Sequence, residues 1–196
     1  MDAGALVAQK EYNVGPDEQS ADVLPYLFGL GTTLLLDSLP KVISGEVTME
    51  NAKPQEEELV VAADMINASE GELRYWSESA TTCHNKIRAF SIWPGTFMHV
   101  KVGDNADPVK VKVIKSRVVE GTVDKTRTIE LKKEKGAGLL VVCNDGSVLE
   151  LLQVQPECKK VMDAKSFHNG LRGGVIEWLD MSNSGDTVTT EKYCMT

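Results

Sequence analysis

Val109-Lys110-Val111-Lys112-Val113-Ile114-Lys115-Ser116-Arg117-Val118-Val119 is the stretch on which the fold reading turns. Valine and lysine alternate through Val113, the period of a strand with one face in a core and the other in water. The valines go inward and Lys110 and Lys112 go outward. Lys115 and Arg117 have the wrong parity to continue that row, so the row persists only if a bulge or register change intervenes. The same short-period texture recurs in Phe97–Val102, Thr128–Leu131, Leu139–Cys143 and Val148–Val154. Asn144-Asp145-Gly146 between the last two is a hairpin turn signal. Five short strands in succession predict a small closed or nearly closed barrel, such as an OB-fold.

Upstream of Trp93-Pro94-Gly95 the texture is different. Residues 5–14 read as a strand and its exit, with Gly15-Pro16-Asp17 as a turn. From Ser20 to about Ser44, Val23, Leu27, Leu30 and Leu34 fall at helical spacing. Gly29, Gly31 and Pro40 are expected to bend or split that helix, and Gly45 to stop it. Residues 46–58 read as a polar linker ending in Glu56-Glu57-Glu58, and a short helix is expected around Val60–Ser69. Ser79 reads as the N-cap of a helix with Cys83, Ile87 and Phe90 on one face. Downstream, Asp163 caps a short helix over 163–172, and residues 180–196 read as a polar tail. The chain is therefore α+β, organised as residues 1–58, linker helices at 59–92, a barrel at 93–179 and the tail.

With 196 residues, 42% of them hydrophobic, the chain can bury a core. No apolar run reads as long enough to span a bilayer, and the first residues have neither the basic region of a secretory signal nor the Arg-rich look of a transit peptide. Cys83, Cys143, Cys158 and Cys194 form no Cys-x-x-Cys pair and have no histidine at zinc spacing, so four reduced thiols are expected. The net charge of -8 argues against indiscriminate nucleic-acid binding. Its distribution is uneven, however: residues 1–80 carry -11, residues 81–172 carry +6, and the remainder carries -3. An acidic part followed by a basic part suggests two modules with different partners, or basic side chains that are simply the wet faces of strands.

Three stretches together resemble the methionyl-tRNA formyltransferase family. His84-Asn85-Lys86-Ile87-Arg88-Ala89-Phe90-Ser91-Ile92-Trp93-Pro94-Gly95-Thr96 looks like that family's junction between linker helix and C-terminal barrel. The run from Val154-Gln155-Pro156-Glu157 through Lys159-Lys160 to Phe167-His168-Asn169-Gly170 resembles the end of the barrel and its closing helix. Asp2-Ala3-Gly4, Ala8-Gln9, Gly15-Pro16-Asp17 and the Leu-rich helix ending at Gly45 resemble the last part of the formyltransferase domain. The resemblance covers nearly all of residues 1–178. It implies a remnant of an α/β formyltransferase domain, a helical linker, and an OB-like barrel. Some positions depart from the family pattern. Cys158 stands where glycine is usual and Val161 where a basic residue is common. Asp64 and Arg74-Tyr75 also depart from it in the linker.

The family moves a formyl group from 10-formyltetrahydrofolate to the amino group of methionine on initiator tRNA. Its Asn and His lie in an Asn-x-His-x-Ser-Leu-Leu-Pro motif that these 196 residues do not contain. The matching position for the catalytic aspartate is Asp2, which has no such histidine to orient. The resemblance therefore implies a chain inactive by itself, needing no cofactor of its own, that retains tRNA contact. Phosphate contact needs Lys and Arg on one face. The candidates are Lys86, Arg88, Lys101, Lys110, Lys112, Lys132, Lys133, Lys159, Lys160, Lys165 and Arg172. Lys86 and Arg88 fall on different faces of a helix, so one of them is expected to brace the junction. Trp93 is expected to pack there too, and no tryptophan is assigned to base recognition.

Two other functions stay open at this level. One is a non-catalytic tRNA-binding module. The other is a formyltransferase acting on a nucleotide sugar, which Gln155-Pro156-Glu157 and Lys159-Lys160 disfavour. The expected partner is initiator Met-tRNA, with no DNA and no membrane. A monomer is expected, with self-association possible through the truncated first domain. Formylated initiation implies a mitochondrion or plastid in a eukaryote and the cytoplasm in a bacterium.

Overall fold

The computed structural model describes residues 4–56, 61–103, 107–132, 134, 136, 138–171 and 174–181. Asp2, Lys133, Lys135, Arg172, part of the acidic triplet and residues 182–196 of the expected tail lie outside them. The chain divides into two units, Met1–Met65 and Ile66–Thr196.

In the first unit, helix α1 runs without interruption over Ser20–Ile43. Its backbone stays helical through Gly29, Gly31 and Pro40, so the expected split does not occur. Asp22 in the first turn and Lys41 in the last complement the helix dipole. Gly45, at φ 77°, ends the helix in the left-handed conformation that glycine tolerates. None of its residues is buried. It is also long and apolar enough, by length and composition alone, to cross a bilayer. That corrects the sequence reading that no apolar run is long enough to span a bilayer; the helix takes in Gly29, Gly31 and Pro40 without a break. The same length and composition suit a helix in a protein core.

Residues 5–14 do not form the expected strand. A single antiparallel bridge joins Leu6 to Lys53, with N–H···O distances of 2.7 and 3.1 Å. An apolar pattern makes a strand only where a neighbour offers a ladder, and among the described residues no ladder forms there.

The second unit opens with a 3₁₀ turn, Ala68–Gly71, in place of the expected helix around Val60–Ser69. Asn67 and Glu70 form a capping box that starts the turn. Gly71 ends it beside another backbone: a Cβ there would lie 2.1 Å from the Gly95 carbonyl oxygen. Helix α2, Ala80–Ala89, is capped by Ser79, whose side chain accepts from the Thr82 N–H. Cys83, His84 and Ile87 are its buried face.

Among the described residues, seven antiparallel strands follow: β1 Thr96–Val102, β2 Val109–Thr122, β3 Thr128–Leu131, β4 Leu139–Val142, β5 Ser147–Pro156, β6 Met162–Asp163 and β7 Ile176–Trp178. They pair in the order β2-β1-β7-β3-β4-β5-β6, and β2 also pairs with β5. That last pairing closes six strands into a barrel and leaves β6 on the flank of β5. The five strands read from sequence are all present, and β7 is the stave they lacked. It pairs Val100 with Trp178 on one side and Ile129 with Ile176 on the other. Helix α3, Ala164–Gly170, is capped by Asp163 and buries Ala164 and Phe167.

The core is formed by Met98, Val100, Val111, Val113, Ile129, Leu139, Val141, Leu149, Leu151, Val154 and Ile176, with Tyr75 and Ile87 packed on it. Each such aliphatic side chain contributes about 1.5–3 kcal/mol by leaving water. One buried charge is built into this core. Glu150 is fully buried. It accepts from Arg117 Nε at 2.7 Å and from the Gly138 N–H at 2.6 Å. Burial pushes its carboxyl up. The hydrogen bonds from Arg117 and Gly138, with the charges of Arg117 and Lys132, outweigh that and hold it below the usual glutamate value.

Candidate nucleic-acid interface

Strand β2 sets the site. Val111 and Val113 are buried and Lys112 is exposed, as the alternation requires. The β2–β5 register shifts between Val113 and Lys115 and again between Lys115 and Ser116. Ser116 therefore turns inward, and Lys115 and Arg117 face out. The parity argument is met by this irregularity, and the outward row of cations continues along the strand.

At the other end of β2 the row meets the turn that follows β5. Lys112 lies opposite Gln155 and Val111 opposite Pro156. The Glu157 N–H donates to the Lys110 carbonyl at 3.2 Å, and Gln155 Nε2 donates to the Lys159 carbonyl at 2.9 Å. These bonds hold the turn carrying Lys159 and Lys160, both exposed, beside Lys110 and Lys112. A shallow cavity of about 260 Å³ opens between Lys110, Lys112, Gln155, Pro156, Glu157 and Cys158. The Lys110 ammonium sits 3.9 Å from the centre of the Phe97 ring, which fixes it at the strand surface. His99, opposite Lys110 on β1, is pushed down by burial and by the Lys110 charge, against the pull of Glu72. It is a neutral neighbour at pH 7 rather than another cation.

The turn also explains Cys158. Its φ is 58°, the left-handed region that favours glycine. Cys158 is disulfide-bonded, which corrects the expectation of four reduced thiols; the residue stands exposed in its turn. Cys83 and Cys143 are free and buried.

The remaining candidates are spread over other surfaces. Lys86 is committed within the fold, its Nζ 2.6 Å from Glu78 Oε1 and 3.1 Å from the Glu72 carbonyl. It braces α2 against the segment before it. Arg88 donates to Asn85 Oδ1 at 2.9 Å. Lys101 lies opposite Glu177 on β7. Lys132 pairs with Glu134 at 2.8 Å, and Lys165 is exposed on α3. Trp93 is 57% exposed, so it does not pack at the junction as expected; the turn after α2 leaves its side chain outside.

Two cations that the sequence reading left off its candidates, Lys125 and Arg127, line a cavity of about 290 Å³ with Trp76, Thr126, Val142, Cys143, Asn144 and Trp178. The signal was the short run Lys125-Thr126-Arg127 ahead of β3. Neither tryptophan pointed to the other from sequence. Among the described residues, no group of His, Cys, Asp and Glu is arranged to hold a metal ion.

Residues 65–172 match the model of the formyl transferase C-terminal domain, a span that holds α2, strands β1 to β6 and α3 and ends before β7. This chain belongs to that family. It is 32% identical over 170 residues to a methionyl-tRNA formyltransferase of Myxococcus xanthus, covering 87% of this chain and 50% of the relative. It is 34% identical, with the same coverage, to a methionyl-tRNA formyltransferase of Lactobacillus delbrueckii subsp. bulgaricus. The chain thus spans about half the length of these relatives. A crystal structure of a HypX variant from Aquifex aeolicus matches with a TM-score of 0.58 at 14% identity, over 88% of this chain and 30% of that one. That likeness concerns the fold alone.

Proposed function

We propose that this chain is the C-terminal part of a methionyl-tRNA formyltransferase, that its barrel binds initiator tRNA, and that it does not transfer formyl groups by itself. The observation that carries the reading is the row Lys110, Lys112, Lys159 and Lys160. Four ammonium groups on one face of a formyl transferase C-terminal domain suit a phosphate backbone. The likeness to methionyl-tRNA formyltransferases over half their length supports the substrate.

In the whole protein the amine of methionine attacks the formyl carbon of 10-formyltetrahydrofolate, which needs oxyanion stabilisation and a proton acceptor. Two of the described histidines, His84 and His99, are engaged within the fold, and His168 stands in the last turn of α3. His84 Nδ1 is 2.9 Å from Ser116 Oγ within the core, and His99 lies against Glu72. The work of the barrel is to hold and orient tRNA for a catalytic half. We place the product where initiation uses formyl-methionine: a bacterial cytoplasm, a mitochondrion or a plastid.

The test is to incubate the full chain with Met-tRNA and formyl donor and to follow formyl-methionine and a gel shift in parallel. A shift without product is expected. Formyl-methionine made by the chain alone would overturn the assignment of catalysis elsewhere, and the absence of any shift would overturn the tRNA reading.

A further inference from the structure

Trp76 precedes α2 and Trp178 is the last residue of β7, yet their rings stack with centroids 6.0 Å apart and planes 28° apart. The Arg127 guanidinium lies 5.3 Å from the Trp178 ring centre. Lys125 Nζ is 3.2 Å from Asn144 Oδ1 across the same opening. These groups line the cavity of about 290 Å³ described above, and none of its lining residues is a carboxylate. Trp178 is only 7% exposed, and its indole Nε1–H is buried without a hydrogen-bond partner among the described residues. A buried donor left unpaired is costly, so its persistence asks for an acceptor.

The geometry points to a second ligand site here: the Trp76–Trp178 cleft takes the base of one unpaired RNA nucleotide, with Lys125 and Arg127 on the adjoining phosphate. This rests on the reading of the barrel as an RNA-binding module and adds where a single-stranded nucleotide seats. An aromatic wall accepts any base by stacking. The two cations select an anionic ligand over a neutral aromatic one. Asn144 and Thr126 bring polar groups to the same opening, where the edge of a stacked base would meet them. The site shares no residue with the Lys110, Lys112, Lys159 and Lys160 face, which suits a paired backbone instead.

The experiment titrates the full chain with a five-nucleotide oligoadenylate, a blunt RNA duplex and AMP. It reads affinity by fluorescence anisotropy and the indole N–H signals by NMR. The pentamer is expected to bind and to move the Trp178 N–H signal. Arg127→Gln, an exposed change that does not disturb the core, and Trp76→Leu should each weaken the pentamer about tenfold, as losing one stacked or charged contact does. Duplex binding should be untouched by either change and reduced by Lys110→Gln/Lys112→Gln. Equal pentamer affinity in the wild type and Arg127→Gln overturns the site, as does a chain that binds duplex but no pentamer. Displacement of the pentamer by AMP at comparable concentration also overturns it, assigning the cleft to a free nucleotide. Pentamer binding without duplex or tRNA binding keeps the cleft and removes the proposed function of the lysine face.

Discussion

Arg117→Met should cost the barrel about 2 kcal/mol at pH 7, and most of that cost should vanish in acid. Glu150 is fully buried, while the Arg117 side chain is 49% exposed. Removing one member of a fully buried pair costs about 3–5 kcal/mol because a bare charge stays behind. Here part of the guanidinium is solvated, so the charge–charge part of that figure is discounted to about 2 kcal/mol. The Gly138 N–H still donates to the carboxylate in the variant. Arg117→Met/Glu150→Gln, with a neutral acceptor for Gly138, should recover about half of the loss.

The pH dependence has a definite sign. In the wild type the carboxyl is held below its ordinary value, so its contribution is present above the unfolded pKa of about 4.3 and is lost as pH falls through the folded value. In Arg117→Met burial is no longer outweighed, the folded pKa rises above the unfolded one, and the penalty is largest at neutral pH. The two proteins should therefore converge as pH falls below the wild-type folded value. Urea unfolding followed by tryptophan fluorescence reports on the second unit, because Trp76, Trp93 and Trp178 all lie in it. A loss of about 2 kcal/mol corresponds to about 1 M in urea midpoint. A shift under a quarter of that at pH 7, or a gap that widens in acid, refutes the reasoning.

Three more outcomes follow from the same coordinates. Gly138→Ala places a Cβ 2.1 Å from the Leu151 carbonyl oxygen and 2.9 Å from Glu150 Cγ. The β4–β5 pair must then move, which should cost about 3 kcal/mol in urea unfolding; wild-type stability would mean that the close approach is not there. Under reducing conditions Cys158→Gly should raise stability by about 1 kcal/mol, since glycine adopts a positive φ without the penalty paid by a side chain; a loss would contradict the strain reading. The chain should also self-associate through α1, where Leu27, Phe28 and Leu35 are exposed. Sedimentation should show Leu27→Glu/Leu35→Glu shifting it toward monomer, and a wild type that is monomeric at high concentration would refute this.

The barrel was readable where burial alternates over enough residues to show a period. Lys110 to Val113 announced their own faces, and the parity of Lys115 and Arg117 announced the irregularity between them. Ile176-Glu177-Trp178 could not do so, because three residues carry no period and the role of β7 depends on β1 and β3 offering two open edges. Residues 5–14 were misread for the converse reason, an apolar texture with no ladder to join. At the site, the lysine row was legible as a row. That Arg117 and Lys86 serve the fold was not, since Glu150 and Glu78 meet them only once α2 and the β2–β5 pairing are formed. The Trp76–Trp178 cleft was equally hidden, because nothing in either neighbourhood refers to the other.

The central claim is that the face carrying Lys110, Lys112, Lys159 and Lys160 holds tRNA by its phosphates. The most direct measurement is the slope of log affinity for initiator tRNA against log salt, in the wild type and in Lys110→Gln/Lys112→Gln/Lys159→Gln/Lys160→Gln. Each phosphate contact adds about one unit to that slope. The account predicts weak binding that falls steeply with salt, and a slope shallower by about 4 in the fourfold variant. Equal slopes in the two proteins, or tRNA binding indifferent to salt, would contradict it.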